Sequence, residues 1–148
     1  MSGEGGPSFF GDISPQEAFD LLSNEATATL VDVRTSAELA FVGAPDLTDI
    51  GKRLHHIEWS AFPTGELNTN FLRELEAVVR AAGSEHLLFL CRSGQRSRRA
   101  AQAAEELPIE KPLRLYNVAT GFEGDLDSDG RRGRASGWKV AGLPWRQN

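Results

Sequence analysis

The feature that most constrains the fold is an alternation of short, continuous apolar runs with stretches of helical periodicity. The runs are Thr29 to Val33, Ile57 to Ser60, Leu87 to Leu90 and Leu113 to Val118. The intervals between them are too long for hairpins and long enough for a crossover helix, which predicts βαβ units and a parallel sheet. Strands covered on both faces need no polar alternation, and these show little. A further short edge strand is expected to begin near Phe9, and 148 residues suit one domain with a sizeable core.

The helix starts are legible because Ser14-Pro15-Gln16-Glu17 and Thr35-Ser36-Ala37-Glu38 each set a hydroxyl three residues before a glutamate. Both read as capping boxes, in which the hydroxyl and the carboxylate each satisfy an orphan backbone N–H. Pro15 at the first helical position loses nothing there. A third helix is expected from Asn70 to Ala82, with Phe71, Leu72, Leu75, Val78 and Val79 on one stripe and Gly83 as its stop. A fourth starts near Arg96 or Ser97 and ends before Pro108. From Gly124 to Gly137 the chain is rich in Gly, Asp and Arg without apolar periodicity and reads as a surface loop.

The net charge of −5 argues against general attraction to nucleic acid or to an anionic membrane. A single cysteine excludes an intramolecular disulfide and suits a reducing, cytoplasmic setting. No apolar stretch is long enough for a membrane span, and MSGEGGPS lacks the basic start and apolar run of a signal peptide. Residues 1–8 are expected to be a disordered tail, and residues 9–148 the single domain.

The chemistry concentrates in LLFLCRSGQRSRRAAQAAEEL, where a buried strand runs into Cys91, a glycine turn follows and an alanine-rich helix begins. Backbone N–H groups of such a turn point inward, and the positive end of the helix adds to them, so the hollow favours an anion. Thiols at helix N-termini or beside arginines are held partly ionised, which makes them ready nucleophiles. Arg92, Ser93, Gly94, Gln95, Arg96 and Ser97 are therefore the expected anion-binding loop, with Gly94 supplying the tight reversal. A cysteine at a strand end is often merely a small buried hydrophobe. Four arginines within eight residues of the thiol favour a functional reading instead.

CRSGQRS resembles the active-site loop of the rhodanese sulfurtransferases, C-R-x-G-x-R followed by a small residue. The likeness extends to Ser14-Pro15, to Val31-Asp32-Val33-Arg34 with Glu38, to Asn117-Val118 with Gly121, and to Gly137-Trp138 with Gly142-Leu143-Pro144. The resemblance implies a rhodanese-like three-layer α/β/α fold with a central, mainly parallel five-stranded sheet. It also implies a Cys91 persulfide that takes sulfur from a small anionic donor such as thiosulfate and passes it to a thiol, to cyanide or to a protein acceptor, without metal or organic cofactor. Asp32 and Arg34 are candidate pocket-rim residues, although a loop-bracing role is favoured for them. Trp138 is a third candidate for the rim.

Two other readings stand beside this one. The first is an arsenate reductase or cysteine phosphatase; their C-x(5)-R spacing would put arginine at position 97, but Ser97 is there and Arg96 comes one residue early. The second is a non-catalytic sulfur-carrier or binding module. Asp125 to Gly130 matches the start of an EF-hand loop, but its twelfth position is Ser136 and no metal site is expected. His55, His56 and His86 show no ligand spacing.

Overall fold

The computed structural model of the chain describes residues 5–147. In chain order its elements are β1 (Pro7–Ile13), α1 (Pro15–Asn24), β2 (Ala28–Asp32), α2 (Ser36–Val42), β3 (Ala44–Pro45), β4 (His55–His56), α3 (Phe71–Ala82), β5 (His86–Leu90), α4 (Gln95–Ala103), β6 (Leu113–Val118) and β7 (Trp145–Arg146). Short 3-10 turns at Thr48–Ile50 and Ala104–Glu106 complete the list. Five strands form one sheet in the order β1-β6-β5-β2-β4, every neighbouring pair parallel. This is the expected α/β architecture.

The two faces of the sheet build two cores. Val31, Leu87, Phe89, Leu113 and Leu115 turn toward Leu75 and Val79 of α3 and Ala100 and Ala101 of α4. Leu30, Leu88, Leu90 and Val118 turn the other way, toward Ala18 and Leu22 of α1 and toward Phe122 and Trp138. Successive residues of a strand face opposite sides, so one apolar run feeds both layers.

Both capping boxes form as the sequence predicts: Ser14 and Thr35 each accept from the backbone N–H of the glutamate three residues on, and each glutamate accepts in return. α3 ends on Gly83 in the left-handed conformation, and α4 begins at Gln95, one residue before the expected start. Residues 124–137 form turns and bends.

Two expectations need correction. β4 is His55–His56 rather than Ile57 to Ser60. It is an edge strand paired only with β2, and the chain leaves it at once so that Ile57 is buried and Trp59 packs 5.1 Å from Phe71. The N–H groups of Ile57 and Trp59 still donate to the carbonyls of Asp32 and Val33, at 3.1 and 3.0 Å. The tail is shorter than residues 1–8, because β1 starts at Pro7 and the carbonyl of Gly6 accepts from Leu113; the expectation for residues 1–4 lies outside the described residues. A small antiparallel ribbon, β3 with β7, is an addition the sequence did not announce, and it ties the C-terminal segment to the end of α2.

Among the described residues, no helix is long and apolar enough to cross a membrane. Leu75 is wholly buried, so Leu75→Ala is expected to lower the unfolding free energy by about 2–5 kcal/mol in a urea titration. Phe41→Ala, at a side chain 82% exposed, is expected to change it by less than about 0.5 kcal/mol.

Candidate functional site

Cys91 follows the last residue of β5, and ligand sites of open parallel sheets gather at such carboxyl ends. Its parity is that of Leu87 and Phe89, so the side chain enters the α3/α4 core, and the residue is only 1% exposed. The sulfur nevertheless has polar partners. The Gly94 N–H and the Ser97 hydroxyl each donate to Sγ at 3.1 Å. Gly94 reaches this position with φ of +107°, a conformation open to glycine at no steric cost.

Ser97 is itself held from β6. Its hydroxyl lies 2.6 Å from Oδ1 of Asn117. The Asn117 amide donates to the carbonyl of Gly94 at 3.1 Å and to Asp12 at 3.0 Å, which fixes its orientation. A hydroxyl has one proton to give, so Ser97 Oγ–H serves Sγ or Oδ1 of Asn117 one at a time, and both acceptors lie within its reach.

A second clamp acts on the loop's carbonyls. The N–H of Phe122 donates to the carbonyl of Cys91 at 2.8 Å, and those of Glu123 and Gly124 donate to the carbonyl of Arg92 at 3.0 and 3.1 Å. A methyl group at Gly121 would run into the carbonyl oxygen of Cys91, so the approach of this segment depends on glycine there.

The arginines divide. Arg96 gives its guanidinium to Glu38 in a two-pronged pair at 2.7 and 2.8 Å. Arg96 therefore braces the loop against the first turn of α2, and it is not free to grip an anion as expected from the sequence. Burial pushes the Glu38 carboxyl up, but hydrogen bonds from Arg96 and Thr35 and the charge of Arg96 outweigh it and hold the pKa at about 2. The Arg96 pKa is raised, first by the Glu38 hydrogen bond against burial, then by the charges of Glu38, Cys91 and Asp32. Arg98 pairs with Asp12 at 2.7 Å. Arg92 is exposed and has no partner among the described residues. Ser93 and Gln95 make no side-chain hydrogen bond among the described residues.

The three rim candidates lie elsewhere. Asp32 and Arg34 are wholly buried and pair with each other at 2.7 Å, while Arg34 also donates to the carbonyl of Gly43 and stacks 4.3 Å above the Phe122 ring. They tie the end of β2 to the end of α2, the bracing role favoured from the sequence. Trp138 is buried in the second core against Phe19, with its indole N–H donating to the carbonyl of Pro144. None of the three lines the groove beside the cysteine loop. That groove, about 580 Å³, runs between α2, the segment 60–65, Arg92, Arg96 and Glu123.

Sequence reasoning missed Asn117 and Asp12 as members of the site. Asn117 was visible only as part of the resemblance, and nothing local to Asp12 announces a partner 105 residues away.

The sequence matches the rhodanese-like domain model over residues 14–125. The chain belongs to that family. Rv0390 from M. tuberculosis, a solved structure, superposes with a TM-score of 0.83 at 48% identity, covering 95% of this chain and all of that one. An uncharacterized protein of Rickettsia rickettsii, the RP600 homolog, is 33% identical over 135 residues, 91% of this chain and 96% of the relative. A thiosulfate sulfurtransferase from Pseudomonas aeruginosa shares the rhodanese-like fold at a TM-score of 0.56 and 19% identity, over 93% of this chain and 19% of that one.

A carboxyl whose folded pKa lies below its unfolded value stabilises the fold above the unfolded value and loses that contribution as pH falls. For Glu38 the window runs from about 4.5 down to about 2. Wild type is expected to exceed Glu38→Gln by about 2 kcal/mol in urea titrations at pH 7, a figure discounted because the pair is partly open to water. The gap is expected to close as pH is lowered through that window.

Proposed function

We propose that the protein is a rhodanese-type sulfurtransferase that carries sulfur as a persulfide on Cys91. The observation that supports this best is the buried Sγ with two donors aimed at it, Gly94 N–H and Ser97 Oγ–H. In the first step the Cys91 thiolate attacks the outer sulfur of thiosulfate or a similar donor. The S–S bond of the donor breaks, its electron pair leaves with sulfite, and Cys91 becomes Cys–S–S⁻. In the second step a nucleophilic acceptor, a thiol or cyanide, takes the outer sulfur and the thiolate returns.

The same donors that favour a thiolate stabilise charge on the sulfur as bonds change, and being fixed in place they need no reorganisation. Neither step calls for a metal or an organic cofactor. A lone reduced thiol as nucleophile suits a cytoplasmic compartment. A protein acceptor fits the same second step.

The phosphatase or arsenate reductase reading is less well supported, because Arg96 is engaged by Glu38 rather than open to an oxyanion. A purely binding module would have no use for two donors on a buried sulfur.

Intact-mass spectrometry after exposure to thiosulfate is expected to show a gain of one sulfur atom on the wild type and none on Cys91→Ser. Ser97→Ala is expected to load about tenfold more slowly, since a hydrogen bond to a charged group contributes roughly 1.5–3 kcal/mol. Absence of any gain would return the protein to the binding-module reading; turnover of arsenate or an aryl phosphate would favour the second enzyme class.

A further inference from the structure

The groove beside the cysteine loop has a character that a small inorganic donor does not require. It is lined by two phenylalanines that the fold leaves in water, Phe41 at 82% and Phe62 at 71% exposed. Neither ring serves a core. α2 has no fully buried residue; Val42 at its end packs against the second core, and its first turn is held by polar contacts, the capping box and the Glu38–Arg96 pair. Phe41 lies one turn beyond Glu38 on the same helical face, so the pair that braces the loop also sets the ring beside it.

Phe62 is placed by an ordered backbone as well. Ala61 N–H donates to the carbonyl of Glu66, Gly65 N–H donates to that of Ala61, both at 2.8 Å, and Ser60 bridges to Leu67. Both rings are thus presented on fixed backbones, at a groove of about 580 Å³. Pockets of roughly 300–1,000 Å³ suit organic ligands rather than ions of a few heavy atoms.

The charges agree. The groove is lined by two cations, Arg92 and Arg96, and two carboxylates, Glu38 and Glu123. Arg96 is already matched by Glu38, and Glu123 lines the groove with Arg92, whose carbonyl accepts from the Glu123 N–H at 3.0 Å. A dianion gains little net attraction from such a wall. A singly charged ligand with an apolar body gains from Arg92 at one end and from the phenyl rings at the other.

We infer that the groove between Phe41 and Phe62 selects organic sulfur donors, in which the transferable sulfur carries one negative charge and is joined to an apolar body, over inorganic thiosulfate. The inference rests on the sulfur-transfer reading of Cys91. For an organic thiosulfonate the step is balanced as before. The Cys91 thiolate bonds to the outer sulfur, the sulfur–sulfur bond of the donor breaks, and the electron pair leaves on the sulfinate. The cysteine holds Cys–S–S⁻ afterwards.

Three donors separate charge from body: thiosulfate, a dianion; methanethiosulfonate, a small monoanion; and benzenethiosulfonate, the same reacting group on an aromatic body. Loading of Cys91 is followed by intact mass at limiting donor. Benzenethiosulfonate is expected to load the wild type about tenfold faster than methanethiosulfonate, the factor that partial burial of one phenyl ring supplies. Phe41→Ser with Phe62→Ser, at two exposed positions, is expected to abolish that ratio by slowing benzenethiosulfonate, with all three donors still loading Cys91. Methanethiosulfonate no faster than thiosulfate, equal rates for the two thiosulfonates on the wild type, or a ratio that survives both substitutions would overturn the inference while sulfur transfer stood. Failure of all three donors to load Cys91 would overturn sulfur transfer itself, and this inference with it.

Discussion

The two-residue period of β5 governs the site, because the alternation that divides Leu87 and Phe89 from Leu88 and Leu90 also decides where the next side chain goes. Cys91 takes the face of α4 and so arrives beneath that helix's first turn. A one-residue slip in register would carry the sulfur to the opposite core, among Leu30, Val118 and Trp138, with no donor from the loop. The register is secured by pairing of β5 on both edges, to β2 and to β6. Sheet topology is therefore part of the chemistry.

Burial changes what a few hydrogen bonds are worth. A thiolate shut away from water loses its hydration, and that loss must be offset by groups already aimed at it. Gly94 N–H and Ser97 Oγ–H do this, and each is itself restrained: Asn117 holds the Gly94 carbonyl and the Ser97 hydroxyl at once. One amide on β6 thereby coordinates the turn and the helix that meet over the sulfur. The carbonyls of Cys91 and Arg92 are engaged by the segment 122–124, which leaves the loop little freedom to reorganise.

What the sequence made legible was local, and what it hid was remote. The two capping boxes need only four consecutive residues, and both form. The strand–turn–helix around Cys91 is likewise continuous in the chain, so its position followed from the apolar run, Gly94 and the alanines of α4. The arginine cluster misled because its neutralising partners lie far off: Glu38 is 58 residues from Arg96, and Asp12 is 86 from Arg98. Asp32 and Arg34 were candidates for the rim because they close a strand of a parallel sheet, and Trp138 by resemblance; the bracing role favoured for the first two is the one they play, Arg34 stacking on Phe122, while Trp138 packs inward against Phe19. The β3–β7 ribbon was invisible because two-residue strands leave no periodicity to read.

The distribution of charge also separates chemistries that the fold alone cannot tell apart. Phosphoryl transfer from a dianion to a thiolate gathers negative charge on oxygens around the transferred group, and positively charged groups that grip those oxygens stabilise it. In this loop the corresponding guanidinium is spent on Glu38, and the hydroxyl at position 97 faces the sulfur, not an incoming oxygen. Sulfur transfer asks for something different. In the proposed transfer the charge passes along a line of sulfur atoms that begins at Sγ, where Gly94 N–H and Ser97 Oγ–H already sit. Holding Arg96 in an ion pair thus costs the site little for sulfur and a great deal for phosphate, and this asymmetry is the physical reason for preferring the first.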